Sequence, residues 1–347
     1  AAPDAETDLG RPLRRFLKSE SEPGMASAPP IRIIVLGTGD FALPLLEHLA
    51  DTGHRILALV TQPDRPQGRK QEIIKSAIKL AAETRGIPVF QPENINSPES
   101  LQLIAQLGAD LMVTAAYGQI LSAGTLAIAP MGGINLHGSI LPAYRGAAPV
   151  ARAIQNGETE TGVTVIRMTP RIDAGGMLAV ARTPIDPDET AGALESRLAI
   201  LGAPLVASSI AALVTGTAQI IPQDKAKVTR APKLSKEDGL IDWTLPALAV
   251  HNLVRAMNPW PLASTLWTSQ DALKAPLRLI IHRSRPEDLE ASATPGEVLE
   301  AGGDRLKIAA GKGAVGILEL QLVGKKPMAA DVFLRGHRIR PGDRMSS

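Results

Sequence analysis

In the stretch Gly132-Gly-Ile-Asn135-Leu-His137-Gly-Ser139-Ile-Leu-Pro142, a carboxamide and an imidazole stand two residues apart. The pattern reads as the end of a β-strand. Alternate side chains of a strand share a face, so Asn135 and His137 point the same way. An amide that can donate to a developing oxyanion, beside a group that supplies or accepts protons, suits acyl transfer. Downstream, Arg171-Ile-Asp173-Ala-Gly175 offers a carboxylate before a small-residue turn, between two predicted strands. Asp173 reaching back to the imidazole would hold its tautomer or relay the proton lost by an attacking amine. Plainer uses exist: a lone His is more often a satisfied core or surface group, and an Asp before Ala-Gly is an ordinary turn acid. Spacing alone carries the reading no further than a candidate acyl-transfer site.

Other chemistries fit less well. No Gly-x-Ser-x-Gly elbow surrounds Ser139, which argues against a serine hydrolase. The six histidines (48, 54, 137, 251, 282, 337) show no paired spacing and the chain has no cysteine, so neither a metal site nor thiol chemistry is expected. Gly37-Thr-Gly39-Asp-Phe-Ala42 lies between a strand and a helix, where a dinucleotide-binding turn would be. Asp64 lies near where a ribose-binding acid would be expected. Asp40, however, is expected to cap that helix and would put negative charge where a pyrophosphate should go. As a nicotinamide signal the turn is weak.

The elements that must position these groups follow from periodicity. From residue 31 short β-rich runs (31–36, 56–60, 88–90, 111–115, 133–136) alternate with helical stretches (41–50, 72–85, 98–107), as in a parallel sheet covered on both faces. Later strands are expected at 162–166 and 177–181, and a long Ala/Leu-rich helix at 190–215. Residues 217–235 are polar with two prolines and read as a linker. Beyond them come a helix near 246–257 and short β-type runs at 277–282, 296–299, 306–309 and 316–322, the spacing of a small barrel or sandwich. The expected organisation is a tail over 1–30, a catalytic domain over 31–216, the linker, and a second domain over 236–345. Residues 1–24 carry no periodicity and read as a tail, Met25 is a plausible natural start, and Asp4, Glu6, Asp8, Glu20 and Glu22 on either side of Arg11, Arg14, Arg15 and Lys18 weigh against a transit peptide.

Composition sets bounds on partners. The 347 residues are 44% hydrophobic and 3% aromatic with a net charge of +2, so the core is aliphatic and long base-stacking platforms are not expected. No apolar run is read as approaching the ~20 residues of a membrane span, and the chain reads as a soluble globular protein. Residues 230–347 hold 17 basic and 13 acidic side chains. Arg65, Arg69, Lys70, Lys75 and Lys79 form a further basic cluster with Glu72 as its one acid. On charge alone such a stretch is a solvated face.

Asn135-Leu-His137-Gly-Ser-Ile-Leu-Pro142 with Asp173-Ala-Gly175 resembles the signature of the folate-dependent formyltransferases. Thr61-Gln-Pro-Asp-Arg-Pro-Gln-Gly-Arg69, Tyr144-Arg-Gly-Ala-Ala-Pro-Val150 with Glu160-Thr-Gly-Val-Thr164, Lys233-Leu-Ser-Lys-Glu-Asp238, Asn258-Pro-Trp-Pro261 and Gly324-Lys-Lys-Pro-Met328 are similar to its tRNA-modifying branch. The similarity spans about 31–345. It implies an α/β, Rossmann-like doubly wound domain followed by a small OB-like β-barrel. It also implies 10-formyltetrahydrofolate as formyl-donor substrate, no metal, and initiator methionyl-tRNA as acceptor. By resemblance Asn135, His137 and Asp173 are catalytic, while Ser139, Ile140, Leu141, Pro142, Tyr117 and Gly118 line the folate site. Arg65, Arg69 and Lys70 would touch the tRNA, Lys70-Gln-Glu72 departing from the Gly-Lys-Lys that often follows this arginine. A cytoplasmic bacterial monomer acting in translation initiation, away from membranes, is expected. Formyl transfer to an amino sugar or other small amine is the alternative.

Overall fold

The computed structural model describes residues 29–67, 72–270, 275–288 and 293–347. The readings of residues 1–24, of Met25 and of Arg69 and Lys70 therefore lie outside the described residues.

Strand β1 (Arg32–Gly37) has Ile33, Ile34, Val35 and Leu36 fully buried. A strand apolar on both faces belongs in the middle of a covered sheet. It pairs in parallel with β2 (Arg55–Val60), which is followed by β3 (Val89–Phe90); on its other side come β4 (Leu111–Ala115) and β5 (Gly133–His137), all parallel. The sheet continues through β6 (Glu160–Arg167) and β7 (Met177–Pro184) in the order β7-β6-β5-β4-β1-β2-β3. Here the structure departs from an all-parallel sheet, because β6 runs antiparallel to β5 and β7 antiparallel to β6. The helix between β5 and β6, Pro149–Gln155, spans only about 10 Å. The chain returns through it to β6 on the far side of β5, running in the opposite direction.

Helices cover the two faces unequally. Ile33, Val35, Val113, Ile134, Leu136 and Val165 pack against α1 (Leu43–Ala50), α2 (Ala77–Thr84) and a helix over Ala191–Val214. The opposite face, with Ile34, Leu36 and Met112, is covered by Ile104 of α3 (Pro98–Leu107) and by Tyr117 and Leu121. Ser97 starts α3 by accepting from the Ser100 N–H, and Gly108 ends it in the left-handed region at φ 64°. Asp40 does not cap α1: the N-cap is Ala42, without a side-chain bond, and a proline lies in the first turn. Two extra turn residues separate Asp40 from the helix start. The Gly37 turn is tight for a packing reason, since a Cβ there would lie 2.5 Å from that of Ala42. The 72–85 stretch is helical only from Ala77, with Glu72–Ile73 forming a short strand instead.

The helix Ala191–Val214 is the one described helix long and apolar enough to cross a membrane by length and composition. The sequence reading missed this. In this fold its Leu194, Leu198, Val206 and Ile210 are buried in the main core. Its Gly202 lies against Leu136, where a Cβ would come within 2.6 Å of a Leu136 methyl. Leu136 is the residue between Asn135 and His137, so the helix bears directly on the strand that carries them.

In the second part the helix Ala247–Ala256 packs on a curled antiparallel sheet. Its strands are Ala263–Thr268, Leu277–Glu287, Val298–Gly302, Arg305–Ala309, Ala314–Leu322 and Arg344–Ser346. A bridge between Glu297 and Arg344 joins the two ends of the sheet, giving a small barrel. The first of these strands, and the helix Ala330–Gly336, were not read from the sequence. The joint between the two parts is polar but buried. Arg255, 7% exposed, donates to the carbonyls of Asp186 and Glu189 and to Asn252 Oδ1. His251 Nε2 bonds the Pro187 carbonyl at 3.1 Å.

Candidate active site

Asn135 lies opposite Thr114 in the β4–β5 register, and the Thr114 hydroxyl donates to Asn135 Oδ1 at 2.7 Å. That contact uses the amide's acceptor and leaves its N–H2 to donate elsewhere. Two residues on, His137 is 5% exposed and its Nε2 lies 2.9 Å from the Tyr144 carbonyl oxygen. A carbonyl only accepts, so Nε2 carries the proton and Nδ1 is the nitrogen open to reaction. Asp173 Oδ2 stands 3.6 Å from that Nδ1, too far for a hydrogen bond and close enough for an ion pair. The same oxygen accepts the Gly146 N–H at 2.9 Å, which orients the carboxylate.

The turn that delivers Asp173 is tightly constrained. Asp173 itself has φ 48°, a left-handed conformation uncommon outside glycine, though aspartate enters it more readily than most residues. At Gly175 a Cβ would fall 1.7 Å from the Arg167 carbonyl oxygen, so no side chain fits where the loop closes on β6. The small-residue turn after the acid is thus a steric requirement.

Sequence reasoning missed the segment that holds both turns, because it reads as a linker. Ile221 bridges Met177 at the start of β7, with backbone bonds of 2.8 and 2.9 Å in the two directions. Gln223 Nε2 then donates to the carbonyls of Asp173 (2.8 Å) and Gly175 (2.7 Å). Its Oε1 accepts from Arg145 Nε and Nη2. Thr229 accepts the Tyr144 N–H on its hydroxyl and the Arg145 N–H on its carbonyl, and Arg230–Ala231 pairs in parallel with Arg145–Gly146. A Cβ on Gly146 would lie 2.4 Å from the Ala231 oxygen. No periodic or charge signal marks these residues; their bonds go mostly to backbone.

Ser139 is fully buried and donates to the Ala143 carbonyl, so its hydroxyl shapes the turn through Ile140, Leu141 and Pro142 and does not face a ligand. Ala115 pairs with Leu136, hence Tyr117 and Gly118 leave the sheet beside His137. Tyr117 is buried among Leu36, Met112 and Leu121, and its hydroxyl has no hydrogen-bond partner among the described residues. Burial pushes that phenol up to about 12. Gln62 Nε2 donates to the Tyr117 carbonyl at 3.0 Å. The basic cluster disperses. Lys75 pairs with Glu83 at 2.8 Å, and Lys79 is bound to Asp64 and Gln91. Arg65 is exposed, 3.9 Å from Glu93. Asp64 is no free ribose acceptor: the Lys79 ammonium bonded to it holds its carboxyl below the usual range. The Lys233–Asp238 and Asn258–Pro261 motifs lie at the joint, where Asp238 pairs with Arg152 at 2.8 Å and Pro259 abuts Gly192.

An amide donor, an imidazole and a carboxylate on a doubly wound sheet, followed by a small barrel, suit an acyl-group transferase, and the family matches narrow this to a formyl transferase. The formyl transferase family model matches residues 31–210 and the formyl transferase C-terminal domain model matches 233–338. The methionyl-tRNA formyltransferase of Solibacter usitatus is 43% identical over 315 residues, 91% of this chain and 98% of its own length. That of Geotalea uraniireducens is 44% identical over 312 residues, 90% and 97%. The chain belongs to the methionyl-tRNA formyltransferase family, and it is an enzyme. The fold is also that of the N-formyltransferase from Helicobacter canadensis solved with folinic acid and dTDP-3-aminofucose, at a TM-score of 0.61, 18% identity, and 83% and 98% coverage.

Proposed function

We propose that Asn135, His137 and Asp173 transfer the formyl group of 10-formyltetrahydrofolate to the α-amine of methionine on initiator tRNA, in the bacterial cytoplasm. The observation that carries the assignment is the Asn135 amide, held by Thr114 with its N–H2 free, beside a His137 Nδ1 that faces Asp173. The amine lone pair attacks the formyl carbon and a C–N bond forms. Negative charge gathers on the formyl oxygen, where Asn135 Nδ2 and protonated His137 donate to it. Asp173 takes the proton that the attacking nitrogen sheds. Collapse of the intermediate breaks the bond to N10 of the folate, which leaves with a proton. The turn through Ile140, Leu141 and Pro142, with Tyr117 and Gly118 beside it, supplies an apolar wall for a flat pterin. Its backbone is pinned by Thr164, which accepts the Leu141 N–H and donates to the Ser139 carbonyl.

Arg65, Arg69 and Lys70 contribute phosphate contacts that position the tRNA without reading its bases. With Lys75 and Lys79 occupied by internal partners, this smaller set carries that role on the loop. The test is formylation of methionyl initiator tRNA against methionyl elongator tRNA, with 10-formyltetrahydrofolate as donor. Product on the initiator alone supports the reading. Formylation of a free amino sugar with none on either tRNA refutes it.

A further inference from the structure

The Nε2 proton of His137 and the carboxylate of Asp173 end on two backbone groups, the Tyr144 carbonyl and the Gly146 N–H. Both belong to the turn that precedes the helix Pro149–Gln155, and neither that turn nor the Asp173 turn is held by the sheet alone. One stretch, 221–231, bonds to both. Gln223 is the only described side chain in it that touches the two at once: it donates to the Asp173 and Gly175 carbonyls and accepts from the Arg145 guanidinium. We propose that Gln223 is a positioning residue for the reaction, setting the separation of His137 and Asp173 by clamping their two turns together. The proposal deepens the formyl-transfer reading above and rests on it.

Three observations support it. Asp173 sits at φ 48°, a less common conformation outside glycine, and the Asp173 carbonyl that this turn presents is one of the groups Gln223 holds. The gap from Asp173 Oδ2 to His137 Nδ1 is 3.6 Å, so a movement of a few tenths of an ångström decides whether the two bond directly or share a proton through the attacking amine. The glutamine is also chemically apt. Its one amide supplies two N–H donors for carbonyls on one side and an acceptor for a guanidinium on the other. Glutamate keeps the acceptor and loses both donors; alanine loses everything.

The test compares Gln223→Ala and Gln223→Glu in the full chain, with Thr229→Val as a second variant that removes the hydroxyl accepting from the Tyr144 N–H. Steady-state formylation separates kcat from KM. The imidazole 15N resonances of His137, assigned by their loss in His137→Gln, report the Nε2–H tautomer without any substrate. A misplacement approaching 1 Å costs up to roughly 100-fold in rate. The expected result for Gln223→Ala is therefore a kcat lower by roughly 10–100-fold, with KM for the folate donor within about 3-fold and displaced His137 resonances. Gln223→Glu is expected to match it, and Thr229→Val to show a smaller loss in kcat with the same resonances displaced. An unchanged kcat in Gln223→Ala overturns the proposal. So does a loss that tracks only the unfolded fraction while His137 resonances stay fixed, or a Gln223→Glu variant as fast as the parent. If the parent itself fails to formylate methionyl-tRNA, the functional reading falls, and the resonance measurement still judges the clamp.

Discussion

Replacing Asn135 with alanine separates catalysis from stability in this site. In the mechanism proposed above the lost N–H2 is a preorganised donor to the developing oxyanion, and removal of one such donor lowers turnover by roughly 10²–10³, or about 2.7–4 kcal/mol of transition-state stabilisation. The structural cost is small. The Thr114 hydroxyl that loses its partner already lies 3.2 Å from the Ile134 carbonyl and can turn to it, so no buried donor is orphaned. Asn135 is half-buried and contributes nothing to either core cluster. The expected stability loss is about 1 kcal/mol or less, a fall in Tm of about 2–4 °C. Asn135→Asp gives a sharper version: Oδ1 still accepts from Thr114, but an anion replaces the donor, and turnover drops at least as far with Tm unmoved. The assay is single-turnover formylation alongside thermal unfolding. A kcat for Asn135→Ala within about 3-fold of the parent refutes the oxyanion role. A Tm fall well beyond 4 °C that accounts for the lost activity refutes the separation.

Other outcomes follow from the proposed function and from the geometry. Arg69→Ala is expected to weaken use of tRNA and reduce the salt slope by about one, leaving KM for the folate donor unchanged; a changed folate KM with intact tRNA kinetics contradicts it. The protein has two tyrosines, and burial pushes both Tyr117 and Tyr144 up to about 12, Tyr144 helped by its bond to Glu158. The native protein should therefore show no tyrosinate absorbance near pH 10. Stability should fall as pH rises above the unfolded value of 10, because the unfolded chain loses those protons first. Ionisation near 10 in folded protein contradicts the burial. Arg152 beside Asp238 holds that carboxyl below its ordinary 3.8. The stability it lends is present above about pH 4 and disappears as pH falls through the lowered value, so Asp238→Asn should flatten the acid limb of urea-unfolding midpoints. An unaltered limb contradicts this.

Much of the scaffold is legible because its signals are local. The strands up to 137 are apolar on both faces and alternate with amphipathic helices, which specifies a covered sheet. The direction of β6 is not legible, since a strand reads alike either way. The pairing of Asn135 with His137 follows from the two-residue period of a strand. Asp173 is reached only through a loop; its local sign is an acid before a small-residue turn between two expected strands, while the Arg167 carbonyl that demands Gly175 shows only in the fold. The charge cluster at 65–79 overstates its free charge, because the acids that flank it, Asp64 and Glu83, fold back onto Lys79 and Lys75. Gln223 escapes sequence reasoning altogether. A polar residue in a proline-containing stretch looks like spacer, and nothing local tells that its amide meets the carbonyls of a turn fifty residues earlier.

The joint around Arg255 bears on how a large acceptor is met. A guanidinium buried at 7% exposure cannot surrender its acceptors without standing unpaired in a poorly polarisable interior, and the acceptors here are carbonyls of the opposing part. Swinging the barrel away from the sheet would break these bonds and the His251 contact together. The two parts are therefore built to present one fixed span from catalytic groove to barrel. On the reaction proposed above, bending needed to bring a methionylated 3′ end to Asn135 would then fall to the nucleic acid, whose single-stranded terminus is the compliant member of the pair, and the acceptor whose end deforms most readily to that span would reach the site most often.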